Sequence, residues 1–486
     1  MDLTCPAEWL PRWTRLRPAA PALTWDGGSW TWADLAERVD RACRALESRG
    51  VGRGRRVGVS VSNRPEMVVA FLAVTRLGGV FVPLNPRLSA AEVAVVVDDC
   101  APCLLVGEAG GLDALPSGVP VAAVEDLLAG GPAAPISAVL PGPEDTIALL
   151  YTSGTTGRPK GAVLTHRAFA ATAENSRRAL DLTPDDRHLI VSPLSFTGGV
   201  LTSLQPALAT GGQVLVERGF DAGRVLHVLR TERPTVFMAV PAMLALLARH
   251  PGFSPDALSS LRYLGSGSAP VPPALFETYR RAGVEIGHAY GLTEGGGLGA
   301  VLRPAEAAAH PGSAGRPCAL VELRIADERG VPRPAGTVGE IQQRGPSVMT
   351  EYWGRPDDTR EALLPGGWLR TGDLGRIDGD GYLTVVGRSK DVILSGGINV
   401  YPAEVEAVIA RHPDVVEAAV AGVPHEVFGE TVAAFVVARP GRAPFPDELR
   451  DFCSGALADY KIPKVFHWPD VLPRTASGKI VRTALR

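Results

Sequence analysis

The chain has 486 residues, of which 45% are hydrophobic and 21% are charged, and its formal net charge is −3. This length is too great for one ordinary core, so two or more globular domains are expected. The near-neutral charge, with no basic run, disfavours a nucleic-acid-binding surface.

Cysteine spacing and apolar segments indicate the cellular setting. The one closely spaced pair among the six cysteines, Cys100 and Cys103, lacks a second pair or a nearby histidine. Such a motif is weak support for a metal or redox site, so both are interpreted as reduced thiols. The N-terminus does not resemble a signal peptide, and the most apolar stretch, residues 67–83, is interrupted by Arg76 and is shorter than a bilayer span. We therefore expect a cytoplasmic protein without a membrane span.

Short apolar runs alternate with helical patterns through the first part of the chain. The patterns predict a hairpin at residues 23–32 and strands at 56–61, 80–83 and 104–106. They predict helices at 66–76 and 88–99. Strands that alternate with helices indicate a doubly wound, largely parallel sheet.

A predicted buried strand at residues 146–151 leads into a loop rich in glycine and hydroxyl groups. The loop and the lysine after it comprise Thr152, Ser153, Gly154, Thr155, Thr156, Gly157 and Lys160. Glycines let backbone N–H groups approach an anion, hydroxyls add donors and a cation neutralises charge, so the composition suits a polyphosphate-binding loop. An ordinary surface loop has a similar composition. The segment is not a Walker A loop, because Pro159 precedes the lysine and Gly161 follows it.

Further polar segments are distributed along the rest of the chain. One follows a predicted strand at residues 188–192, at the strand end where ligands bind in such sheets. The segments contain Phe196, Thr197 and Gly198; Gly265, Ser268, Ala269 and Pro270; His288, Tyr290, Thr293, Glu294, Gly295 and Gly296; Asp373, Arg388, Lys390 and Gly397; and Lys479 near the C-terminus. The last hundred residues alternate helices and strands as a small α+β unit.

Together these segments resemble, in order, the motifs of the adenylate-forming superfamily. This superfamily contains the acyl-CoA synthetases, the adenylation domains of nonribosomal peptide synthesis and the firefly-type luciferases. The resemblance covers residues 10–486 and implies an α/β fold. It implies two doubly wound sheets and a small β-barrel in an N-terminal ATP- and acyl-binding region, residues 1–387. A small mobile α+β domain, residues 388–486, would move about a hinge near Lys390.

The resemblance also implies roles for individual residues. Lys479, Thr293 and Glu294 are expected to be catalytic, with Glu294 holding Mg²⁺. ATP and CoA are expected to contact the loop residues Thr152, Ser153, Gly154, Thr155, Thr156, Gly157 and Lys160, together with Ser268, Ala269, Pro270, His288, Tyr290, Asp373, Arg388 and Gly397. Asp373 would bind the ribose hydroxyls, since a carboxylate accepts two hydrogen bonds from a cis-diol. Tyr290 would stack on adenine.

The substrate pocket implied by the resemblance comprises Phe196, Thr197, Gly198, Gly265, Gly295 and Gly296. Two positions depart from the family pattern. Acyl-CoA synthetases commonly have a histidine where this chain has Phe196, which is either a pocket wall or a core residue. Thr197 stands where amino-acid-activating relatives have an aspartate, so an α-amino acid substrate is disfavoured. The glycine run 295–297 suggests either room or flexibility.

The resemblance implies an AMP-forming acid–thiol ligase whose cofactors and cosubstrates are ATP, Mg²⁺ and CoA. It would convert a small carboxylic acid to an acyl-adenylate and then to a CoA thioester. An alternative is a stand-alone adenylation enzyme that passes its adenylate to a carrier protein or another acceptor, with an unusual oxyanion such as nitrite as a further substrate option. A third option, a non-catalytic nucleotide-binding relative, is disfavoured by the intact Lys160, Glu294, Asp373 and Lys479.

Overall fold

The computed structural model describes residues 5–116, 118–129, 140–152, 159–395, 398–426, 429–475 and 480–485. The strands are β1 Pro21–Trp25, β2 Gly28–Thr31, β3 Arg56–Ser60, β4 Val80–Pro83, β5 Leu104–Gly107, β6 Val121–Ala123, β7 Thr146–Thr152, β8 Lys160–Thr165, β9 Arg187–Ile190, β10 Gln213–Val216, β11 Val236–Ala239, β12 Tyr263–Gly267, β13 Ile286–Tyr290, β14 Ala300–Leu302, β15 Arg316–Pro317, β16 Glu322–Ala326, β17 Gly339–Arg344, β18 Glu351–Tyr352, β19 Leu363–Leu364, β20 Trp368–Ile377, β21 Leu383–Arg388, β22 Ile393–Ser395, β23 Ile398–Val400, β24 Val415–His425, β25 Gly429–Ala438 and β26 Val465–His467.

The helices are α1 Pro6–Leu16, α2 Trp32–Glu47, α3 Pro65–Arg76, α4 Ala90–Cys100, α5 Val124–Leu128, α6 His166–Ala179, α7 Thr197–Gly199, α8 Gln205–Thr210, α9 Ala222–Thr231, α10 Pro241–Arg249, α11 Pro255–Leu258, α12 Pro273–Arg281, α13 Pro356–Ala362, α14 Pro402–Ile409 and α15 Pro446–Ser454. A capping box fixes the start of α4, where Ser89 and Glu92 satisfy each other's backbone N–H groups. The helices predicted at 66–76 and 88–99 are confirmed as α3 and α4.

Two large sheets carry the N-terminal region. The strand order is β15-β14-β13-β12-β11-β9-β10-β1-β2 in the first and β18-β8-β7-β4-β3-β5-β6 in the second. Pairing is parallel from β13 across to β1 in the first sheet and from β7 across to β6 in the second, with antiparallel pairs at the edges. Central strands such as β4 are buried along their whole length, as expected for parallel sheets covered by helices. The predicted hairpin at 23–32 is confirmed as β1–β2.

One hydrophobic core joins the two sheets. It includes Phe81 and Leu150 from the second sheet, Ile190 and Val214 from the first, and Phe169 from α6 between them. Helix α6 packs against β7 and β8 of the second sheet, α8 packs against β10 of the first, and the two helices pack on each other. This packing positions the site.

Two smaller sheets complete the chain. An antiparallel sheet, β16-β17-β20-β19 with β21 beside β20, occupies the region where the sequence predicts a small β-barrel. The C-terminal sheet, β23-β22-β25-β24 with β26 beside β25, packs with α14 and α15 around its own core of residues such as Val405, Val436 and Leu449. A domain boundary at residue 388 and a hinge near Lys390 stay predictions.

Two further expectations concern helices and cysteines. No helix within the described ranges combines the length and apolar character needed to cross a membrane. All six cysteines are free thiols, and Cys100 is buried while Cys103 is half-buried.

Candidate functional site

The phosphate-loop segment begins where β7 ends and finishes where β8 begins. Thr152 and Lys160 are partners across this antiparallel pair, so the strand ends are held together. Ser153, Gly154, Thr155, Thr156 and Gly157 lie outside the described residues. The structure therefore places the two ends of the predicted loop side by side.

A carboxylate, Glu294, lies directly beside the start of this loop. Its Oε1 accepts a hydrogen bond of 3.1 Å from the Thr152 hydroxyl and one of 2.9 Å from the Tyr352 hydroxyl. Burial and the nearby Glu294 charge raise the pKa of Tyr352, which keeps the phenol protonated as the donor. These contacts bring together three residues that are far apart in sequence.

Lys160 is held on the other side of the same aromatic ring. Its Nζ lies 2.6 Å from Asp358 Oδ1 and 5.4 Å from the centre of the Tyr352 ring. The Lys160 side chain is only 13% exposed, so the Asp358 carboxylate offsets part of the cost of desolvating its ammonium group. A phosphate that binds Lys160 would compete with Asp358 for it.

A second polar chain links β13, β20 and β21. The Tyr290 hydroxyl donates to Asp373 Oδ2 at 2.9 Å, and Arg388 Nε lies 3.2 Å from Asp373 Oδ1. Burial and the Asp373 charge raise the pKa of Tyr290. The Tyr290 ring packs against Ile325 and Ile341 and is 8% exposed, so little of the face predicted to stack on adenine is open.

The predicted adenine-binding segment adjoins this chain. His288 pairs in register with Ser266 across β13 and β12, and its Nδ1 lies 3.1 Å from the Ser313 carbonyl oxygen. Burial lowers the pKa of His288, so the imidazole is neutral at pH 7. Ser268 has φ +69°, a left-handed conformation that is unusual for a serine, and it is followed by the exposed Ala269 and Pro270.

The segment after β9, which is predicted to line the acid pocket, contains a short helix and an irregular turn. Phe196 is half-buried at the N-cap of α7, and the Thr197 hydroxyl lies 2.5 Å from the Thr293 hydroxyl. A Cβ built on Gly198 would meet no atom within 4 Å. Residues 200–204 form a π-helical turn, a feature often found at functional sites. The structure thus joins Thr197 to Thr293 and leaves space at Gly198.

The glycines predicted to line the pocket are packed closely. A Cβ at Gly265 would collide with Met238 Sδ, and one at Gly296 would collide with the Ser347 carbonyl oxygen. At Gly295 it would lie 2.6 Å from Gln343 Oε1. Room is therefore not the reason for the glycines at 295 and 296: their neighbours approach too closely for a side chain. The glycine of this run that approaches the π-helical turn after α7 is Gly297, where an added Cβ would lie 3.0 Å from Leu201; it was not among the predicted pocket residues.

The C-terminal site residues are only partly described. Lys390 lies in an exposed 3₁₀ turn, Ser389–Asp391, while Gly397 and Lys479 lie outside the described residues. Beyond Lys479, Arg482 Nη2 lies 2.7 and 2.9 Å from the two carboxylate oxygens of Glu406, and its Nη1 lies 3.6 Å from Asp391. The end of the chain is thereby tied to α14 and to the turn that contains Lys390.

Sequence reasoning missed four residues of this region. Tyr352 and Asp358 lie between the predicted motifs, Met238 lies in a strand that resembles ordinary core, and Gln343 lies in a strand predicted to belong to the small β-barrel. No local spacing marks them, because their partners are 27 to 198 residues away. They become visible only when strand pairing is known.

Comparison with known proteins identifies the family. The model of the AMP-binding enzyme family matches residues 10–353, and that of the AMP-binding enzyme C-terminal domain matches residues 404–479. A feruloyl-CoA synthase from Amycolatopsis sp is 39% identical, over 99% of this chain and 98% of the relative. An indoleacetate–CoA ligase from Aromatoleum aromaticum is 38% identical, over 99% and 97%.

The fold agrees with these relatives. The crystal structure of ATP-bound MatB from Rhodopseudomonas palustris superposes with a TM-score of 0.93, at 32% identity, over 99% of this chain and 98% of that one. The predicted fold class, with a separate C-terminal domain, and the predicted AMP-forming acid–thiol ligase are confirmed. The chain belongs to the AMP-binding enzyme family of the adenylate-forming superfamily and is an ATP-dependent acyl-CoA synthetase that uses a carboxylic acid and CoA.

Proposed function

We propose that two chains of hydrogen-bonded or ion-paired side chains in the site bind one ATP molecule, and that an acid is adenylated between them and the segment after β9. The two chains are Thr152–Glu294–Tyr352 and Tyr290–Asp373–Arg388. The observation that carries this proposal is the convergence of Thr152, Glu294 and Tyr352, from three separate parts of the chain, within hydrogen-bond distance. Next to Glu294, the Thr293 hydroxyl meets Thr197 of the acid-facing segment. Groups suited to phosphate therefore adjoin the space for the acid.

The nucleotide is proposed to lie along the Tyr290–Asp373–Arg388 chain. Asp373 accepts hydrogen bonds from the ribose hydroxyls, and Arg388 contacts the ribose or the α-phosphate. Neutral His288, which is held by the backbone of Ser313 and Ala269, is proposed to lie at the edge of adenine. Tyr290 acts chiefly by orienting Asp373, since its ring is largely covered.

Glu294 fits the role of a Mg²⁺ ligand. Magnesium prefers oxygen ligands and is commonly held by one or two carboxylates together with phosphate oxygens. Glu294 is a carboxylate with the Thr152 hydroxyl beside it, and no cluster of three or more acidic, histidine or cysteine side chains competes as a metal site in the described part of the chain. When bound, the ion would neutralise phosphate charge.

The chemistry proposed has two steps in one cleft. A carboxylate oxygen of the acid attacks the α-phosphorus of ATP and pyrophosphate leaves; the CoA sulfur then attacks the carbonyl carbon and AMP leaves. Lys479 stabilises the charge that develops in the first step. The C-terminal domain then moves about Lys390, and Gly397 borders the thiol in the second step.

Variants at Lys479 and Gly397 test this division. We expect Lys479→Ala to abolish acyl-adenylate formation while thioester formation from supplied acyl-adenylate survives, because only the first step makes and breaks bonds at the α-phosphorus. Gly397→Leu should spare adenylation and block transfer to CoA. Equal loss of both half-reactions in Lys479→Ala, or continued transfer in Gly397→Leu, would contradict the two-state mechanism.

The acid and the acceptor are tested together. ATP–pyrophosphate exchange across aliphatic, aryl, dicarboxylic and amino acids, with and without CoA, gives the substrate class. Exchange with thioester formation supports the proposal. Exchange without thioester would favour the alternative, transfer to a carrier protein. Silence across the panel would direct attention to oxyanions such as nitrite. The cytoplasmic location stays a prediction.

A further inference from the structure

A small cavity lies behind the proposed acid-binding segment. The space open to the centre of a water molecule is about 10 Å³, room for roughly one water. Its walls are mostly apolar and include Leu180, Leu182 and Met238. Three polar side chains also line it: His188, Thr202 and Ser203.

Two of these wall residues also contact the proposed acid pocket. Met238 occupies the space in which a side chain at Gly265 would lie. The Thr202 hydroxyl donates to the Gly198 carbonyl oxygen at 2.7 Å, and its methyl group is 3.5 Å from a Cβ built on Gly297. The cavity is therefore separated from the pocket by one flexible thioether and one threonine.

His188 is one of the residues that line this cavity. It lies on β9 between Val214 and Val236, and it is 3% exposed. Its Nε2 has no hydrogen-bond partner among the described residues. A buried polar atom left without a partner costs roughly 1–3 kcal/mol, so a ligand that satisfies it gains affinity.

The chemistry of the walls limits what this ligand can be. Burial lowers the pKa of His188 to about 4 despite the opposing charge of Asp186, so the ring is neutral at pH 7. None of the described residues that line the cavity is charged. A substrate with a second carboxylate would therefore have to bury that charge without a partner, which is unfavourable. The Ser203 hydroxyl, like that of Thr202, already donates to the Gly198 carbonyl. A hydroxyl suits either tautomer of His188, because it can donate or accept.

We propose that this cavity is the far end of the acid pocket, and that His188 hydrogen-bonds a hydroxyl group at the distal end of an otherwise apolar monocarboxylic acid. The distal group reaches it when the Met238 side chain changes rotamer. This inference rests on the acid pocket proposed above, and it names the substrate class for that pocket.

The test compares matched acids that differ by one hydroxyl, such as cinnamic and 4-hydroxycinnamic acid, or an alkanoic acid and its ω-hydroxy derivative. In the wild type we expect kcat/KM for pyrophosphate release to favour the hydroxylated member of at least one pair by about tenfold. This is the size of effect expected from one buried hydrogen bond. His188→Leu should remove that preference while kcat/KM for the unsubstituted acid stays within about twofold. His188→Gln, which keeps a hydrogen-bonding group, should retain part of it.

A matched control separates this effect from general loss of a buried histidine. His166 is also fully buried with an unpartnered Nε2, and burial also lowers its pKa to about 4, but it does not line the cavity. His166→Leu should therefore leave the preference unchanged. If His188→Leu does not fold, Met238→Phe, which closes the passage from Gly265, should abolish the preference instead.

The failure of this inference is distinguishable from failure of the proposed function. If acids are activated but no hydroxylated member is preferred, or the preference persists in both His188→Leu and Met238→Phe, the cavity holds only a buried water and the inference is wrong. If no acid releases pyrophosphate, the acid pocket itself is wrong, and the inference is overturned with it.

Discussion

The proposed nucleotide side and the proposed acid side of the site differ in how their polar groups are hydrogen-bonded. On the nucleotide side, Thr152, Glu294, Tyr352, Tyr290 and Asp373 already hydrogen-bond one another. On the acid side and in the core behind it, His188 Nε2 and the Tyr263 hydroxyl are buried without a partner in the described part of the chain.

This difference reflects what each side must recognise. Groups that hold one another in place are preorganised, so little reorganisation is needed when charge develops. Every reaction of the enzyme uses the same nucleotide, which allows such a network. The acid side instead leaves its hydrogen-bonding capacity for the substrate, at a cost in stability. Substitutions on the two sides should therefore have different signatures.

The largest effect is expected at Glu294. Glu294→Gln removes the charge next to the phosphate loop, and we expect kcat/KM to fall by about 10²–10³ for every acid alike, as when one transition-state-stabilising group is lost. Initial rates of pyrophosphate release at acid concentrations below KM measure this. Glu351→Gln removes an exposed carboxylate beside Tyr352 and should change the rate less than about twofold. A loss that differs from acid to acid would contradict the assignment of Glu294 to the nucleotide side alone.

A smaller effect is expected at Asp373. Asp373→Asn weakens the contacts with Tyr290 and Arg388 and the proposed ribose contact, and it should raise KM for ATP by roughly 10- to 100-fold. Tyr290→Phe, which removes one hydrogen bond to the same carboxylate, should raise it by less than about tenfold. An unchanged KM for ATP in Asp373→Asn would show that the nucleotide lies elsewhere.

A still smaller effect, of opposite sign, is expected at Asp358. Since Asp358 pairs with Lys160 at 2.6 Å, Asp358→Asn should free the ammonium group for phosphate and lower KM for ATP by about two- to fivefold. The Asp357→Asn variant, at an exposed neighbour, is the control. A rise in KM would mean that Asp358 positions Lys160 and does not compete with phosphate.

The predictability of the two sides from sequence also differs. The nucleotide side could be anticipated because Thr152, Glu294 and Asp373 stand in contiguous motifs with several chemically demanding residues. Tyr352 and Asp358 could not, since their role depends on β18 pairing with β8. On the acid side, the glycine run 295–297 left room and flexibility open, and the structure shows close approach of Gln343 to Gly295 and of Ser347 to Gly296. His188 reads as a core strand residue, and only tertiary packing reveals its unpartnered nitrogen.

The acid side should also affect stability as a function of pH. The pKa of His188 is lowered from 6.5 to about 4 in the folded protein, so the unfolded chain binds a proton first as pH falls. The folded state is thus fully favoured above about pH 6.5 and loses up to roughly 3 kcal/mol from this group as pH falls to 4. Urea unfolding at pH 6.5 and 4.5 should show a smaller loss for His188→Leu than for the wild type. An identical loss would mean that His188 is not buried as described.

The separation of the two sides is tested most directly by ranking acids. The measurement is kcat/KM for pyrophosphate release over one acid panel in the wild type, Asp373→Asn and His188→Leu. The account predicts that Asp373→Asn lowers every value by the same factor and keeps the order, whereas His188→Leu changes the order by demoting hydroxylated acids. A reordered panel in Asp373→Asn, or a uniform loss in His188→Leu, would contradict it.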